Sequence, residues 1–306
     1  MAGPTHYHGH AAGKVILLGE HAVVYGSPAL VVGLDRGASA RVHEADVAEL
    51  VLGEVRHVLE VAAAPAAALP ARAFQALLRL FSAPPVSAAA TLALPAGAGL
   101  GASAALGVAL ARALSSLCRA RGQAPPSVAE AALAWENVFH GNASGVDTAA
   151  AEHGGYLWFR RGHAPEPLEP ARPLQVLIAL VEGGASTRLM VEGVASRRLA
   201  DPPRFDALMT DIAALVERGR SCLLAGDQVE LGQLMSDNHR LLVELGVSTP
   251  ALDRAVQVAE GAGALGAKLT GAGGGGCAVA LVDTAQRERV RDAWRGIGLS
   301  CWPPAD

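Results

Sequence analysis

LPAGAGLGASAALGVAL, residues 94–110, places a short strand, a glycine-rich turn and a long alanine-rich helix in succession. Glycine lacks a Cβ atom, so successive backbone N–H groups can turn toward one point, and the helix N-terminus adds the positive end of its dipole. This arrangement predicts a phosphate-binding turn. Glycine-rich turns also form for purely steric reasons, and the stretch alone leaves that alternative open.

The turn matches neither of two common phosphate motifs. It lacks the terminal Lys-Ser/Thr pair of a P-loop, and no Rossmann fingerprint with an acidic residue about 20 positions further on is present. A third kind of phosphate loop is therefore expected. Ser103, at the predicted start of the helix, could offer its hydroxyl to a Mg²⁺ ion that bridges the phosphates.

A second segment, WENVFHGNASGVDTAA at residues 135–150, carries two carboxylates. Glu136 lies late on a predicted helix and Asp147 follows a turn, so both could face one site, one binding metal and the other accepting a proton. Between them, Asn142, Ser144 and Gly145 form a polar, tightly turned connection that is typical of a substrate-facing loop. Acidic residues near turns are more often simply solvated, which remains the alternative.

The composition is that of a globular protein with a small-molecule ligand. Of the 306 residues, 51% are apolar and 18% charged, which fits two domains with buried cores. The net charge of −4 and the lack of a Lys/Arg block argue against nucleic acid or an anionic membrane as main partner. Four widely spaced cysteines suggest neither a zinc site nor disulfides, so a cytoplasmic location is expected, with no signal peptide or membrane span.

Strands and helices intermix along the whole chain, which predicts the α+β class. Strands are predicted at residues 15–18, 29–34, 38–43, 91–94, 174–181 and 277–282. Helices are predicted at 71–81, 102–121, 131–139, 204–225 and 228–245, and from 249 and 285. Ser127 with Glu130 forms a capping box, and Thr249 followed by Pro250 is suited to a helix start.

Two segments look irregular. Residues 162–173 are rich in Pro and Gly, which predicts a linker. Domains are therefore predicted at 1–170 and 171–306. Residues 1–10 are predicted to be a flexible end. Their alternating His6, His8 and His10 leave metal binding as the alternative.

Lysine is rare in this chain: of 25 basic residues only Lys14 and Lys268 are lysine, and the rest are arginine. Both lysines lie beside glycine-rich segments. A compact ammonium fits where a planar guanidinium would not, so both positions are predicted to require one. Chance is the alternative, and it is weaker for Lys14.

Two further segments, GKVILLGEHAVVYG at 13–26 and GAKLTGAGGGGCAV at 266–279, complete the pattern. With the 94–110 stretch, and in this order and spacing, they resemble the GHMP kinase superfamily. GEHAVVYG, HGNASGVD and SDNHRLLVELGVSTPALD are most similar to its mevalonate kinase branch, so the similarity covers most of the chain. The resemblance implies a two-domain fold, with an N-terminal ribosomal-protein-S5-like domain, a C-terminal ferredoxin-like domain and an active site in the cleft between them.

The resemblance also implies an activity, ATP-dependent phosphorylation of mevalonate to 5-phosphomevalonate, with residue roles. Asp147 matches the catalytic base and Lys14 the lysine beside it, while Ser103 and Glu136 match Mg²⁺ ligands. The implied phosphate loop comprises Pro95, Ala96, Gly97, Ala98, Gly99, Leu100, Gly101, Ala102, Ser103, Ala104 and Ala105. The implied substrate-binding residues are Glu20, His21, Ser144, Thr187, Gly271 and Ala272. Residues 271–275 resemble the third glycine loop, which closes over the nucleotide end of the site.

The chain departs from the family pattern at a few positions. Alanine stands at 143, where proline is usual, and at 102, where serine is usual, and Thr148 replaces a common asparagine. These changes leave substrate choice open among mevalonate, phosphomevalonate, homoserine and a sugar. A non-catalytic metabolite sensor is the rival from another class. Its mark would be a lost catalytic residue, and Asp147, Lys14, Ser103 and Glu136 are all present. Whether the chain is a monomer or a homodimer stays open.

Overall fold

The computed structural model describes residues 4–59, 68–95, 97–140, 145–181, 183 and 187–302. Its strands are β1 Tyr7–Leu18, β2 Ala29–Glu44, β3 Glu49–Leu52, β4 Val55–Val58, β5 Val86–Leu92, β6 Tyr156–Phe159, β7 Glu166–Leu168, β8 Val176–Val181, β9 Gly266–Thr270, β10 Gly276–Leu281 and β11 Ser300–Trp302. Its helices are α1 Leu69–Leu80, α2 Ala102–Ala120, α3 Val128–His140, α4 Val146–His153, α5 Thr187–Ala200, α6 Pro202–Ala225, α7 Gln228–Glu244, α8 Pro250–Gly261 and α9 Arg287–Gly296.

These elements belong to two compact units, each assembled from separate stretches of the chain. The first unit comprises Met1–Lys14, Gly33–Ala96 and Gly101–Gly154, and the second comprises Val15–Val32, Gly97–Leu100 and Gly155–Asp306. Strands β1 and β2 contribute residues to both. The mixture of helices and strands in both units confirms the α+β class.

In the first unit, strands in the order β4-β3-β5-β2 form a sheet, with β1 also paired to β2. Helices α2 and α3 pack closely because α2 carries Gly107 at their crossing. A Cβ atom at this position would lie 2.7 Å from Cδ1 of the buried Trp135, closer than side-chain packing allows. The side chain of Trp135, which precedes Glu136, is thereby fixed against α2.

In the second unit, β2, β6 and β7 pair in that order, and a separate antiparallel sheet has the order β11-β8-β10-β9. Helices cover this sheet over an apolar core that includes Phe205, Ile212 and Trp294. The predicted start of α8 is confirmed, because the Thr249 side chain accepts a hydrogen bond from the Leu252 N–H at 3.2 Å. Side-chain caps also begin α6 and α7.

The predicted elements need four corrections. The strand predicted at 91–94 is the end of a longer strand, β5, which starts at Val86 and ends at Leu92. Residues 7–10 are the start of β1 rather than part of a flexible end, because pairing with β2 satisfies their backbone. The two strands predicted at 29–34 and 38–43 are one strand, β2, since Gly37 packs against the β1 backbone and continues the strand instead of breaking it. The segment read as a linker contains the short strand β7.

Other expectations fall outside what the structure tests. Asn142 and Ser144, predicted to lie in a substrate-facing loop, are outside the described residues, and the domain boundary near residue 170 stays a prediction. Ser127 Oγ accepts from the Glu130 N–H at 3.2 Å, as a capping box requires. Within the described residues, no helix is long and apolar enough to cross a membrane.

Candidate active site

An ion pair between Lys14 and Asp147 is the clearest chemical feature of the first unit. Lys14 Nζ lies 3.2 Å from Asp147 Oδ1, and the Lys14 side chain is 3% exposed against 38% for Asp147. Asp147 lies in the first turn of α4, where the positive end of the helix dipole stabilises a carboxylate. The pair therefore presents a carboxylate with an open side, suited to accept a proton, beside a fixed positive charge.

Gly101 determines how Lys14 reaches this position. It caps α2 with φ 75°, in the left-handed region that glycine adopts at low cost. A Cβ atom at Gly101 would lie 2.9 Å from Cγ of Lys14, too close for any side chain. The aliphatic stem of Lys14 thus runs past the start of α2, and both backbone conformation and space require glycine at 101.

Ser103 and Glu136 form a second polar pair on α2 and α3. Ser103 Oγ donates to Glu136 Oε1 at 2.5 Å, and the indole N–H of Trp135 donates to Ser103 Oγ at 3.3 Å. Burial, reinforced by the negative charge of Asp147, raises the pKa of Glu136 to about 7, against the opposing effects of the Ser103 hydrogen bond and Lys14. A carboxylate in this environment gains from any cation that takes the place of its proton.

These two residues fit the Mg²⁺ site expected from the sequence. A hydroxyl and a carboxylate oxygen already touch each other, and hard oxygen ligands are those that Mg²⁺ prefers. Two protein ligands are enough, because Mg²⁺ commonly keeps waters and takes its remaining ligands from substrate phosphates. Their assignment as ligands remains a proposal.

The glycine-rich stretch leads into α2 as expected. The first turn of a helix leaves N–H groups without intrahelical acceptors, and here they belong to Ala102, Ser103 and Ala104. Ala105 N–H already donates to the Gly101 carbonyl at 2.9 Å. Pro95 precedes the turn, and Ala96 lies outside the described residues. The N-terminal end of α2 is thus suited to an anionic group.

In the second unit, residues 97–100 lie beside the third glycine segment. A Cβ atom at Gly99 would be 3.7 Å from the Thr270 carbonyl oxygen, and one at Gly276 would be 3.5 Å from the Ala98 carbonyl oxygen. Gly271 also approaches Gly99. The stretch at 97–100, with Gly97, Ala98 and Leu100, and the segment at 266–279 therefore meet, although they are far apart in sequence.

Of the predicted substrate-binding residues, all except Ser144 belong to the second unit. His21 is buried, and its Nε2 donates to the Ala272 carbonyl oxygen at 2.9 Å. Its φ is 60°, a conformation that costs on the order of 1–3 kcal/mol for a residue with a side chain. Glu20 is fully buried and pairs with Lys268. Thr187 is the exposed first residue of α5, and Ser144 lies outside the described residues.

Comparison with known proteins gives a consistent result. The GHMP kinases N terminal domain family model matches residues 68–155, and the GHMP kinases C terminal model matches 212–298. The chain is 33% identical to a mevalonate kinase of Thermococcus sibiricus, covering 91% of this chain and 90% of that one. It is 35% identical to the one from Methanothermobacter thermautotrophicus over 88% of each chain.

The chain belongs to the mevalonate kinase family of the GHMP kinases. A solved structure, L. major mevalonate kinase in complex with R-mevalonate, is 30% identical with a TM-score of 0.79, and the match covers 97% of this chain and 94% of that one. The GHMP kinase fold expected from the glycine segments is thereby confirmed.

Within this family member, the structure brings together Lys14 with Asp147 and Ser103 with Glu136, as the sequence predicted. Two participants were missed. Trp135 touches Ser103, and its place directly before Glu136 is the only signal in the sequence. Asn238 donates to Glu20, and nothing in the sequence indicates that contact across 218 residues. Lys268 stood out for its rarity, but its partner was not predicted.

Proposed function

We propose that this chain transfers the γ-phosphoryl group of ATP to the primary hydroxyl of mevalonate, giving 5-phosphomevalonate and ADP. The observation that carries the proposal is the Lys14–Asp147 pair, with a buried ammonium and an accessible carboxylate 3.2 Å apart. Membership of the mevalonate kinase family supports the choice of substrate, as does the relative that binds R-mevalonate.

Each step of the transfer has a residue suited to it. Asp147 accepts the proton of the substrate hydroxyl, and that oxygen forms the new bond to the γ-phosphorus as the bond to the bridging oxygen of ADP breaks. Lys14 holds the attacking oxygen and offsets the negative charge on the transferring group. Phosphoryl transfer depends mainly on position and electrostatics, so this fixed cation is suited to act together with the base.

The phosphates are proposed to bind at the start of α2, where Ala102, Ser103 and Ala104 supply N–H groups. Ser103 and Glu136 would hold Mg²⁺, which supplies charge neutralisation for the β- and γ-phosphates. The hydrogen bond from Trp135 leaves lone-pair capacity on Ser103 Oγ and fixes the orientation of the hydroxyl.

ADP release measured with mevalonate, phosphomevalonate, homoserine and galactose tests the proposal. We expect kcat/KM for mevalonate to exceed that for each of the others by at least about a hundredfold, roughly 2.7 kcal/mol of transition-state discrimination. Comparable rates on phosphomevalonate would contradict the substrate assignment. ATP binding without ADP release on any of the four would favour a metabolite sensor.

A further inference from the structure

The second lysine of the chain forms an ion pair that is closed to solvent. Lys268 on β9 contacts the carboxylate of Glu20, just beyond β1, and both side chains are 0% exposed. Lys268 Nζ also donates to the carbonyl oxygens of Leu269 at 2.6 Å and Ile16 at 3.4 Å. The ammonium has three N–H donors, and these contacts offer it three acceptors.

The carboxylate of Glu20 is held from a second side. Its Oε1 contacts Lys268, and its Oε2 accepts from Nδ2 of the buried Asn238 on α7 at 3.3 Å. One carboxylate therefore links the end of β1, strand β9 and helix α7. Both carboxylate oxygens of Glu20 thus have partners inside the protein, and its contact with mevalonate stays a prediction.

The residue after Glu20 is the strained His21. Its ring N–H reaches the Ala272 carbonyl oxygen at 2.9 Å. A carbonyl only accepts, so Nε2 carries the proton. The turn is also closed by its backbone, since the Ala22 N–H donates to the Glu20 carbonyl at 2.7 Å. His21 is thus anchored on one side through Glu20 and on the other through the glycine segment that follows β9.

Stability alone does not account for this arrangement. A buried ion pair must offset a large desolvation cost, and replacing both charges by neutral groups of similar volume is often neutral or stabilising. A strained backbone persists only where its surroundings determine it strongly. Glu20 lies immediately before the strained residue, and Lys268 lies on the strand that leads into residues 271–275. These positions indicate that the pair controls the backbone geometry of His21 and of residues 271–275.

We infer that Lys268 and Glu20 are positioning residues, which hold His21 and the 271–275 segment in the arrangement that binds mevalonate. This inference rests on the proposed function. Neither charge needs to touch substrate: the pair acts through the conformation of His21 and the Ala272 carbonyl. This role also explains why residue 268 is lysine rather than arginine. Three acceptors converge on one point in a site without solvent, where a planar guanidinium has no room.

The test removes both charges together, so that neither is left buried alone. The double variant Lys268→Met with Glu20→Gln keeps side-chain volume close to wild type, and thermal unfolding checks that it folds. We expect KM for mevalonate to rise by about tenfold or more, because His21 and the Ala272 carbonyl would no longer be held in the binding arrangement. KM for ATP and kcat should change less. The matched control, Arg204→Met with Glu244→Gln, removes an exposed pair of the same unit, 3.1 Å apart, and should match wild type.

A second readout does not depend on activity. The Nε2–H proton of His21, assigned by its loss in His21→Gln, should give a protected NMR signal in wild type and lose that protection in the double variant. An unchanged signal together with an unchanged KM for mevalonate would overturn the inference.

The inference can still be tested after either of two other outcomes. If the double variant does not fold, Asn238→Leu removes only the contact to Glu20 Oε2, and a KM for mevalonate within twofold of wild type would overturn the inference. If wild type does not phosphorylate mevalonate, the proposed function fails separately, and the His21 signal still decides whether the pair positions that residue.

Discussion

The chain contains two lysines, each buried and each paired with a carboxylate, and the two pairs differ mainly in access to water. In the first unit, 38% of the Asp147 side chain is exposed beside Lys14. In the second unit, Glu20 and Lys268 are both 0% exposed. A carboxylate with an open side can receive a substrate hydroxyl and its proton. One that is closed on every side can only hold its neighbours in place.

The comparison shows that a residue pair does not define a role by itself. Both pairs follow from the same pattern, a lone lysine beside a glycine-rich segment. Lys14 projects to the first turn of a helix, where its partner faces solvent, whereas Lys268 projects into a layer between β1, β9 and α7. The open pair is suited to chemistry and the closed pair to positioning. Three predictions concern the open pair and the polar residues near it, and one concerns a neighbour of the closed pair.

Asp147→Asn should produce the largest effect, because it removes the only proton acceptor of the open pair. We expect kcat to fall by about 10²–10⁴, nearer the lower value, since phosphoryl transfer asks less of a base than acyl transfer. Steady-state kinetics with mevalonate measure this loss. Unchanged thermal unfolding and ATP binding serve as controls, and a loss of less than tenfold would exclude Asp147 as the base.

Lys14→Arg should lower kcat by about tenfold to a thousandfold, although arginine is common elsewhere in the chain. The stem of Lys14 passes 2.9 Å from where a Cβ of Gly101 would lie, so a longer, planar head cannot be placed at the same point. Lys14→Met, assayed beside it, separates shape from charge. If the arginine variant stays within threefold of wild type while the methionine variant fails, charge alone matters.

Ser103→Ala and Glu136→Ala should each raise the Mg²⁺ concentration needed for half-maximal rate, by about tenfold, or roughly 1.4 kcal/mol. Each removes one oxygen ligand from the same proposed ion. Mg²⁺ titrations at saturating ATP and mevalonate measure the shift. Ser116→Ala, near the other end of α2, is a matched control. A variant with wild-type Mg²⁺ dependence would take its residue out of the metal site.

The smallest effect is expected on the free energy of unfolding at acidic pH. It depends on His239, which lies beside the closed pair. Its Nδ1 accepts from the Leu269 N–H at 3.3 Å, so the ring is neutral and Nε2–H faces Asp253. Burial, then the charge of Lys268, lowers its pKa below 6.5, while Asp253 and Glu260 oppose the shift. The unfolded chain therefore binds the proton more readily, and stability falls as pH drops below 6.5, by at most about 1.4 kcal/mol per pH unit.

Thermal unfolding of wild type and His239→Gln between pH 7.5 and 5 tests this dependence. The glutamine can still accept and donate hydrogen bonds but does not titrate, so its unfolding midpoint should fall less over that range. His21, whose pKa burial also lowers, contributes in the same direction and remains in both proteins. Parallel curves would show that His239 does not carry the effect.

The residues with local signals were predictable from the sequence. Gly101 and Ser103 stand in a strand-turn-helix stretch, and Thr249 with Pro250 indicates a helix start, so both segments could be interpreted without a structure. The strand at residues 7–10 could not, because its stability comes from pairing with β2 rather than from its own polar residues. Short strands such as β7 gave no periodicity to detect.

The sequence did not reveal which polar side chains are buried. Glu20 was predicted to bind substrate because it lies in a glycine-flanked segment that resembles a family motif. Whether a carboxylate faces a ligand or a buried lysine depends on which strand packs against it, and that partner is 248 residues away. A separation of 218 residues likewise explains why Asn238 gave no signal. Motifs indicate which residues matter, but long-range packing decides how.

That separation also has a consequence for synthesis of the chain. Glu20 leaves the ribosome 248 residues before Lys268. At about 5–20 residues per second, the interval is roughly 12–50 s. During that time the Glu20 carboxylate has no ammonium to neutralise it and must stay hydrated, because a lone charge is not buried. The second unit therefore completes its packing only late in translation, and the growing chain carries an unfinished β1 segment for most of that time.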